Sequence, residues 1–192
     1  KIAYANDEYK IASDYAKKAL DIAPDSYECN MDWGMYERYL GHYKNALDAW
    51  TKAISIEPDY FLAYAYRAGL YDEQDDGENA LNDYLMVVKL NPQYYYAYES
   101  IGVLALHRQD WSMAREAFMK CYEKNKTNVS YPLMITYCYY MEKKDADGKK
   151  FSDQVLRKMD RNTVEYTMLR VFHDKKGESP LRQRVSNMSN RN

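Results

Sequence analysis

Small and aromatic residues recur along the chain at intervals of 34 residues. Three phases share this interval: Ala12, Ala46, Ala80 and Ala114; Ala16, Trp50, Tyr84 and Phe118; and Ala19, Ala53, Val87 and Cys121. Pro24, Pro58 and Pro92 keep the same spacing. A period of this length is typical of solenoids, in which each unit buries its apolar face only by stacking on its neighbours. The pattern therefore predicts a repeat array.

Each period contains two helical stripes. In the unit 27–60, Ala46, Trp50 and Ala53 have the spacing of one helix face, which predicts a helix that begins near Lys44. Pro58 ends that helix, because proline lacks the N–H that the next turn needs. A first helix over about 27–40 precedes it, and 41–43 form the turn. The units 61–94 and 95–128 repeat this arrangement.

These residues resemble the tetratricopeptide repeat (TPR) family. The resemblance rests on the small residues Gly34, Ala68 and Gly102 where two helices would cross, on the three second-helix phases, and on the closing prolines. It implies an all-α fold, a right-handed α-solenoid of antiparallel helix pairs with irregular C-terminal helices. The sequence departs from the family pattern at Asn30 and Glu37, where large apolar residues are usual, and at Arg67, which replaces a leucine-like residue.

The register of the period predicts the domain organisation. Residues 1–128 form the array, with a truncated first repeat over 1–26 (its helix at about 6–23) and full repeats over 27–60, 61–94 and 95–128. The truncation suggests that the protein continues upstream. The pattern weakens after Asn128, so 129–186 are predicted to form an irregular fourth repeat and capping helices, at about 131–142, 146–159 and 163–172. A short basic helix opened by Ser179 and Pro180 follows, and 187–192 form a flexible tail.

The resemblance implies that the first helices line a concave groove. Side chains at the second, fifth, ninth, twelfth and thirteenth helix positions would face it: Glu28, Met31, Met35, Tyr39, Leu62, Asp72, Glu73, Tyr96, Glu99, Val103, Leu106, His107, Leu133, Tyr137, Tyr140 and Met141. Tyrosine and methionine make adaptable contacts at protein interfaces. The groove would therefore bind a peptide or helix that is apolar and carries one or two basic residues. Tyr39, Tyr96, Leu106 and Tyr137 are the predicted anchors. Alternatively, several of these side chains belong to the flank of the core.

Composition and charge argue against other classes of function. The three cysteines show no metal-ligand or disulfide spacing, and no nucleophile triad or Gly-rich phosphate loop occurs in the sequence, so we expect no enzyme, metal or cofactor. His107 and Glu99 lie about two helical turns apart, too far for an acid–base pair. Nucleic acid needs a basic face, whereas the predicted groove carries Glu28, Asp72, Glu73 and Glu99 against Arg38 alone. No run approaches the ~18 apolar residues of a membrane span.

Two alternative functions remain open at this stage. Exposed aromatic edges and the incomplete first repeat favour self-association as a homodimer. The helix order over about 128–186 resembles, more loosely, that of bacterial cell-envelope TPR lipoproteins that act as adaptors for cell-wall hydrolases. Residues 149–192 carry eleven Lys/Arg and five Asp/Glu, a net charge of +6 on an otherwise acidic chain. The sequence identifies neither the partner nor the compartment.

Overall fold

A computed structural model describes residues 2–174, with side chains from Asp7 onward. The regular elements of this part of the chain are ten α-helices. They are α1 Ile2–Ile22, α2 Tyr27–Tyr39, α3 Tyr43–Ile56, α4 Phe61–Glu73, α5 Gly77–Leu90, α6 Tyr95–His107, α7 Trp111–Lys124, α8 Ser130–Met141, α9 Asp145–Leu156 and α10 Val164–Asp174. The predicted all-α fold of helix pairs is thus confirmed for the described residues. The basic helix over 179–186 and the tail over 187–192 lie outside them.

One turn geometry recurs between the two helices of each pair. Among residues 2–174, those with positive φ are Gly41, Asp75, Gln109 and Lys143, which stand 34 positions apart. In each turn the residue that follows the one with positive φ donates its N–H to the carbonyl five positions earlier. The four bonds run from His42 to Glu37, from Asp76 to Tyr71, from Asp110 to Ala105 and from Lys144 to Tyr139, at 2.8–2.9 Å. This is the helix-ending motif in which one left-handed residue lets the last carbonyls be satisfied. The period therefore continues through the fourth pair, α8–α9.

The helix crossings depend on a glycine facing an aromatic ring. A Cβ at Gly34 would lie only 2.5 Å from the Trp50 ring, and one at Gly102 only 2.7 Å from the Phe118 ring. Trp50 is fully buried, and its Nε1–H donates to the Met31 carbonyl at 3.3 Å. Burial of a side chain of this size contributes roughly 1.5–3 kcal/mol to folding. Small residues at these positions are therefore a packing requirement.

Two of the polar departures from the family pattern, Asn30 and Arg67, have hydrogen-bond partners within the first unit. The amide nitrogen of Asn30 donates to the Pro24 and Ser26 carbonyls at 3.2 and 2.8 Å. The Arg67 guanidinium, on α4, donates to both carboxylate oxygens of the buried Asp83 on α5, at 2.7 and 2.8 Å. These contacts satisfy groups that would otherwise be costly to bury.

The chain forms two compact units that divide between Ala97 and Tyr98. The core of the first includes Ala46, Trp50, Ala53, Ala63 and Leu70. The second contains a cluster of Ala105, Ala114, Phe118, Ile135 and Cys138, and another of Leu133, Val155, Leu156 and Leu169 that brings α10 into contact with α8 and α9. Leu169 is fully buried, so α10 is part of the packed structure.

Candidate functional site

The second unit exposes large hydrophobic side chains at positions of its first helices. Among its described residues, these side chains are Val103, Tyr137 and Met141. Val103 and Tyr137 stand at the ninth position of a first helix, and Met141 stands at the thirteenth, counted from 95 and 129. Tyr137 also packs edge-on against Trp111, with ring centroids 5.9 Å apart. Three of the apolar residues that the sequence assigned to the groove are therefore exposed in this unit.

The remaining groove candidates of this unit differ in how much surface they offer. Glu99 and His107 are exposed, and Glu99 accepts a long hydrogen bond from the Tyr131 hydroxyl at 3.5 Å. Leu106 is half-buried against the Phe118 cluster. Leu133 is buried beside Leu169 and is therefore a core residue.

Tyr140 is oriented by α10. Its hydroxyl donates to the Phe172 carbonyl at 2.9 Å, and its ring lies against Gly148. Burial raises the pKa of this phenol, so the hydroxyl stays protonated and retains its donor role. Tyr140 is therefore held in place by these contacts and is only half-buried.

In the first unit two tyrosines carry the exposed aromatic surface at groove positions. Tyr96 is 79% exposed and lies edge-on to Tyr94, at 5.8 Å between centroids. Tyr39 is also exposed, and it stacks on Tyr9 of α1 with centroids 4.6 Å apart. Tyr9 lies on a second-type helix, so it is not among the first-helix positions that predict the groove.

Three apolar candidates of the first unit are partly or fully covered. Met31 is only 9% exposed and belongs to the Trp50 core, because its flexible side chain reaches inward. Leu62 packs against the same core and Met35 is half-buried. The alternative that some groove candidates flank the core is therefore the better description of Met31 and Leu62.

The charged groove positions of the first unit carry a net negative charge. The Arg38 guanidinium of α2 pairs with Glu73 of α4. Glu28 accepts from the Ser26 hydroxyl at 3.1 Å, and Asp72 is exposed. These positions thus hold three carboxylates and one guanidinium.

Two clefts that the sequence did not reveal lie at equivalent repeat positions. One, of about 450 Å³, is lined in part by Leu20, Asn30 and Ala49 of the first unit. The other, of about 640 Å³, is lined in part by Tyr122, Pro132 and Phe151 of the second unit, each 102 residues further along. The spacing equals three periods, so one crevice of the repeat recurs.

Within residues 7–174 no group of three His, Cys, Asp or Glu side chains is placed to hold a metal ion. None of the described helices combines the length and apolarity that a membrane crossing requires. Cys121 and Cys138 are buried, and burial raises the pKa of each thiol to about 11. Such thiols are poor nucleophiles at neutral pH, because almost none of the thiolate is present.

Comparison with solved structures identifies the fold. No protein-family model and no curated protein matches the sequence. A tetratricopeptide repeat protein from Parabacteroides merdae is similar to 88% of this chain over 68% of its own, with 24% identity and a TM-score of 0.63. YrrB, a TPR protein with an unusual peptide-binding site, matches 88% of each chain at 12% identity and a TM-score of 0.66.

A third solved structure is that of Naa15/Naa10 bound to HypK-THB, which matches 90% of this chain at 13% identity and a TM-score of 0.76. This chain spans about a quarter of the matched one, with 26% of it covered. The chain has the fold of the tetratricopeptide repeat proteins, an α-solenoid of antiparallel helix pairs.

Proposed function

We propose that this protein is a non-catalytic scaffold that binds a peptide or helical segment of a partner protein along its first helices. The proposal rests on the exposed apolar side chains Val103, Tyr137 and Met141. In the described part of the second unit, the large hydrophobic residues that remain exposed all stand at positions that the repeat assigns to a ligand-facing surface. Exposed apolar surface marks interaction sites when its residues lie together, and these three residues are the candidates for such a surface.

The charges at these positions support a preference for a ligand with basic residues. Glu99 lies on α6 with Val103, one turn away, so a basic side chain bound beside Val103 would reach its carboxylate. In the first unit Asp72 and Glu28 supply the same polarity. Phosphate groups would be repelled, so the proposed partner is a protein and not a nucleic acid.

The solved structures with this fold provide precedents. YrrB has a peptide-binding site, and the Naa15/Naa10 structure contains bound HypK. Our proposal assigns the same general role to this chain, with a ligand surface that consists of its own Tyr, Val and Met residues.

A display library of random dodecapeptides, selected on the wild-type protein, tests the proposal. Selected peptides should combine apolar residues with at least one Lys or Arg. Fluorescence anisotropy should then show that Val103→Ser with Tyr137→Ser weakens their binding by tenfold or more, since central apolar anchors carry most of the binding energy at such interfaces. Glu99→Gln should weaken the binding of the basic peptides selectively.

Leu85→Ser is the matched control, because Leu85 is similarly exposed but lies on the second helix α5. Circular dichroism establishes that each variant retains its helices. If selection enriches no peptide, or if the enriched peptides bind the double variant and wild type equally, the proposed surface is wrong.

A further inference from the structure

The larger of the two clefts has the size and the lining of a small-molecule site. Its volume is about 640 Å³, and ligand pockets typically measure ~300–1,000 Å³. Its apolar side chains include Tyr122 of α7, Pro132 of α8, Phe151 and Val155 of α9, and Met159 just beyond α9. The rings of Tyr122 and Phe151 pack edge-on with centroids 6.1 Å apart, so they form a fixed aromatic wall.

The cleft has room because one residue of the repeat is small. The residue of α4 that is equivalent to Pro132 is Tyr64, which is 9% exposed and fills space between helices of the first unit. Pro132 is fully buried and smaller than tyrosine, so it leaves such space to the cleft. The equivalent residue in the cleft of the first unit is Asn30, which is also smaller than tyrosine.

A lysine stands in the cleft at a position where the repeat has proline. Lys126 has the period position of Pro24, Pro58 and Pro92, which follow the second helices of the earlier repeats. Proline there carries no charge and ends the helix. Lys126 is exposed and adds an ammonium group to the lining of the cleft.

The cationic groups of the cleft lack a counter-charge. Lys126 and Lys158 both line it, and neither ammonium has an ionic or hydrogen-bond partner among residues 7–174. The carboxylates of the lining differ in this respect. Asp160 accepts from the Asn162 N–H at 2.9 Å, and Glu165 lies in the first turn of α10, whose N-terminal end has a partial positive charge. The two ammonium groups are therefore the charges that remain to be balanced.

We propose that this cleft binds a small amphipathic monocarboxylate, with its apolar body against Tyr122, Phe151 and Met159 and its carboxylate within reach of Lys126 and Lys158. An amphiphile with a cationic head would be repelled by both lysines. A dianionic head would bring a second negative charge close to Asp160 and Glu165, so the lining favours a single negative charge.

Isothermal titration calorimetry with sodium decanoate below its micellar concentration tests the proposal. Decanoate should bind at one site per chain. Decyltrimethylammonium, which has the same alkyl chain and the opposite charge, should bind roughly tenfold more weakly or not at all, because it forms no charged hydrogen bond with a lysine. Decyl phosphate should also bind more weakly than decanoate.

The two lysines account for the choice of head group, so their removal should affect the anion alone. Lys126→Gln with Lys158→Gln should weaken decanoate binding roughly tenfold and leave the binding of decanol unchanged. A merely structural effect of the substitutions would weaken both ligands. Lys149→Gln is the matched control, since Lys149 is exposed on α9 but does not line the cleft.

Filling the cleft should abolish the binding of both decanoate and decanol. Pro132→Tyr restores the residue type of α4 and places a ring in the floor of the cleft. Because Pro132 is buried, Gln154→Trp provides a second test at an exposed lining position, without a change in the core. Circular dichroism establishes that each variant retains its helices.

The proposal is wrong if decanoate does not bind, if it binds at several sites per chain, or if decyltrimethylammonium binds equally well. It is also wrong if the double lysine variant and Gln154→Trp both bind decanoate like wild type. Val103 and Tyr137 do not line the cleft, so Val103→Ser with Tyr137→Ser should retain decanoate binding. The proposed peptide surface and the cleft therefore succeed or fail separately.

Discussion

At the scale of single residues, burial of Glu37 is made acceptable by its hydrogen bonds. Glu37 stands where the repeat family usually has a large apolar side chain, yet it is 5% exposed. It accepts from Ser13 Oγ on α1 and from Asn45 Nδ2 at 2.6 Å, and it lies 3.1 Å from His42 Nδ1. Burial alone would raise the pKa of this carboxyl, but the hydrogen bonds outweigh it and the pKa is lowered. The carboxylate therefore links α1, α2 and α3.

We expect Glu37→Gln to destabilise the protein by about 1–3 kcal/mol near neutral pH, because two donors lose a charged acceptor. A lowered folded-state pKa contributes stability above the unfolded-state value, and that contribution is lost as the pH falls through the folded-state value. The difference between wild type and variant should consequently shrink on acidification below about pH 4. Urea denaturation of both proteins across this range measures it.

Glu116→Gln, at an exposed position on α7, is the control and should change neither the stability nor its pH dependence. A stability gap between wild type and Glu37→Gln that is the same at every pH would show that charge on Glu37 does not stabilise the fold.

At the scale of the helices, the two residues that face each other at a crossing have complementary sizes. Gly34 meets Trp50 and Gly102 meets Phe118. In the fourth pair the equivalent residues are Thr136 and Ser152, both fully buried, so the aromatic of the earlier pairs gives way to a small residue. The fourth pair thus has two side chains of moderate size at its crossing, in place of a glycine and an aromatic ring. Its turn keeps the geometry of the earlier pairs.

Gly102→Ala should therefore destabilise the protein, by roughly 1–3 kcal/mol from overpacking against Phe118, partly offset by up to about 1 kcal/mol of helix propensity. Phe118→Leu should make the same alanine substitution far less costly, since the ring it strikes is then absent. A double-mutant cycle of denaturation free energies measures this coupling.

Gly69→Ala is the control, because a Cβ at this helical glycine has Tyr84 Oη as its nearest neighbour, 4.0 Å away. It should be neutral or stabilising. Additive effects of Gly102→Ala and Phe118→Leu would contradict the proposed contact.

These crossings also explain what could be predicted from the sequence. The helix pairs and their 34-residue register follow from the Ala and aromatic phases, which are strong because each marks a packing requirement. The regular turn of the fourth pair could not be recognised, because Gly148 and Ser152 stand where the other pairs have Ala and an aromatic. Asp75, Gln109 and Lys143 have positive φ but are not glycines, so their residue types did not predict a left-handed backbone conformation.

The candidate surface was predictable only in part, for a related reason. The repeat register assigns a position to a helix face, and three of the residues that it assigns to the groove, Tyr96, Val103 and Tyr137, are exposed. It contains no information on the reach of an individual side chain, so it could not show that Met31 turns into the core.

At the scale of the whole molecule, a solenoid is held together by contacts between neighbouring helices, so its parts need not open in one step. The reactivities of the three cysteine thiols can show whether parts of this chain open separately. Cys29 is half-buried in the first unit, whereas Cys121 of α7 and Cys138 of α8 are buried in the second, on helices that pack against each other. A buried thiol with a pKa near 11 reacts with a disulfide reagent only after the structure around it opens.

We expect Cys29 to react first with such a reagent in the native protein, and Cys121 and Cys138 to react slowly and at matching rates, because α7 and α8 bury both thiols in one packed region and should open together. Mass spectrometry of peptides from single-cysteine variants gives the three rates, with Cys→Ser at the other two positions. Adding sub-denaturing urea should accelerate Cys121 and Cys138 by the same factor. If Cys138 instead reacts much faster than Cys121, the α7–α8 contact does not open as a unit, and the stability of the second unit must then be assigned helix by helix.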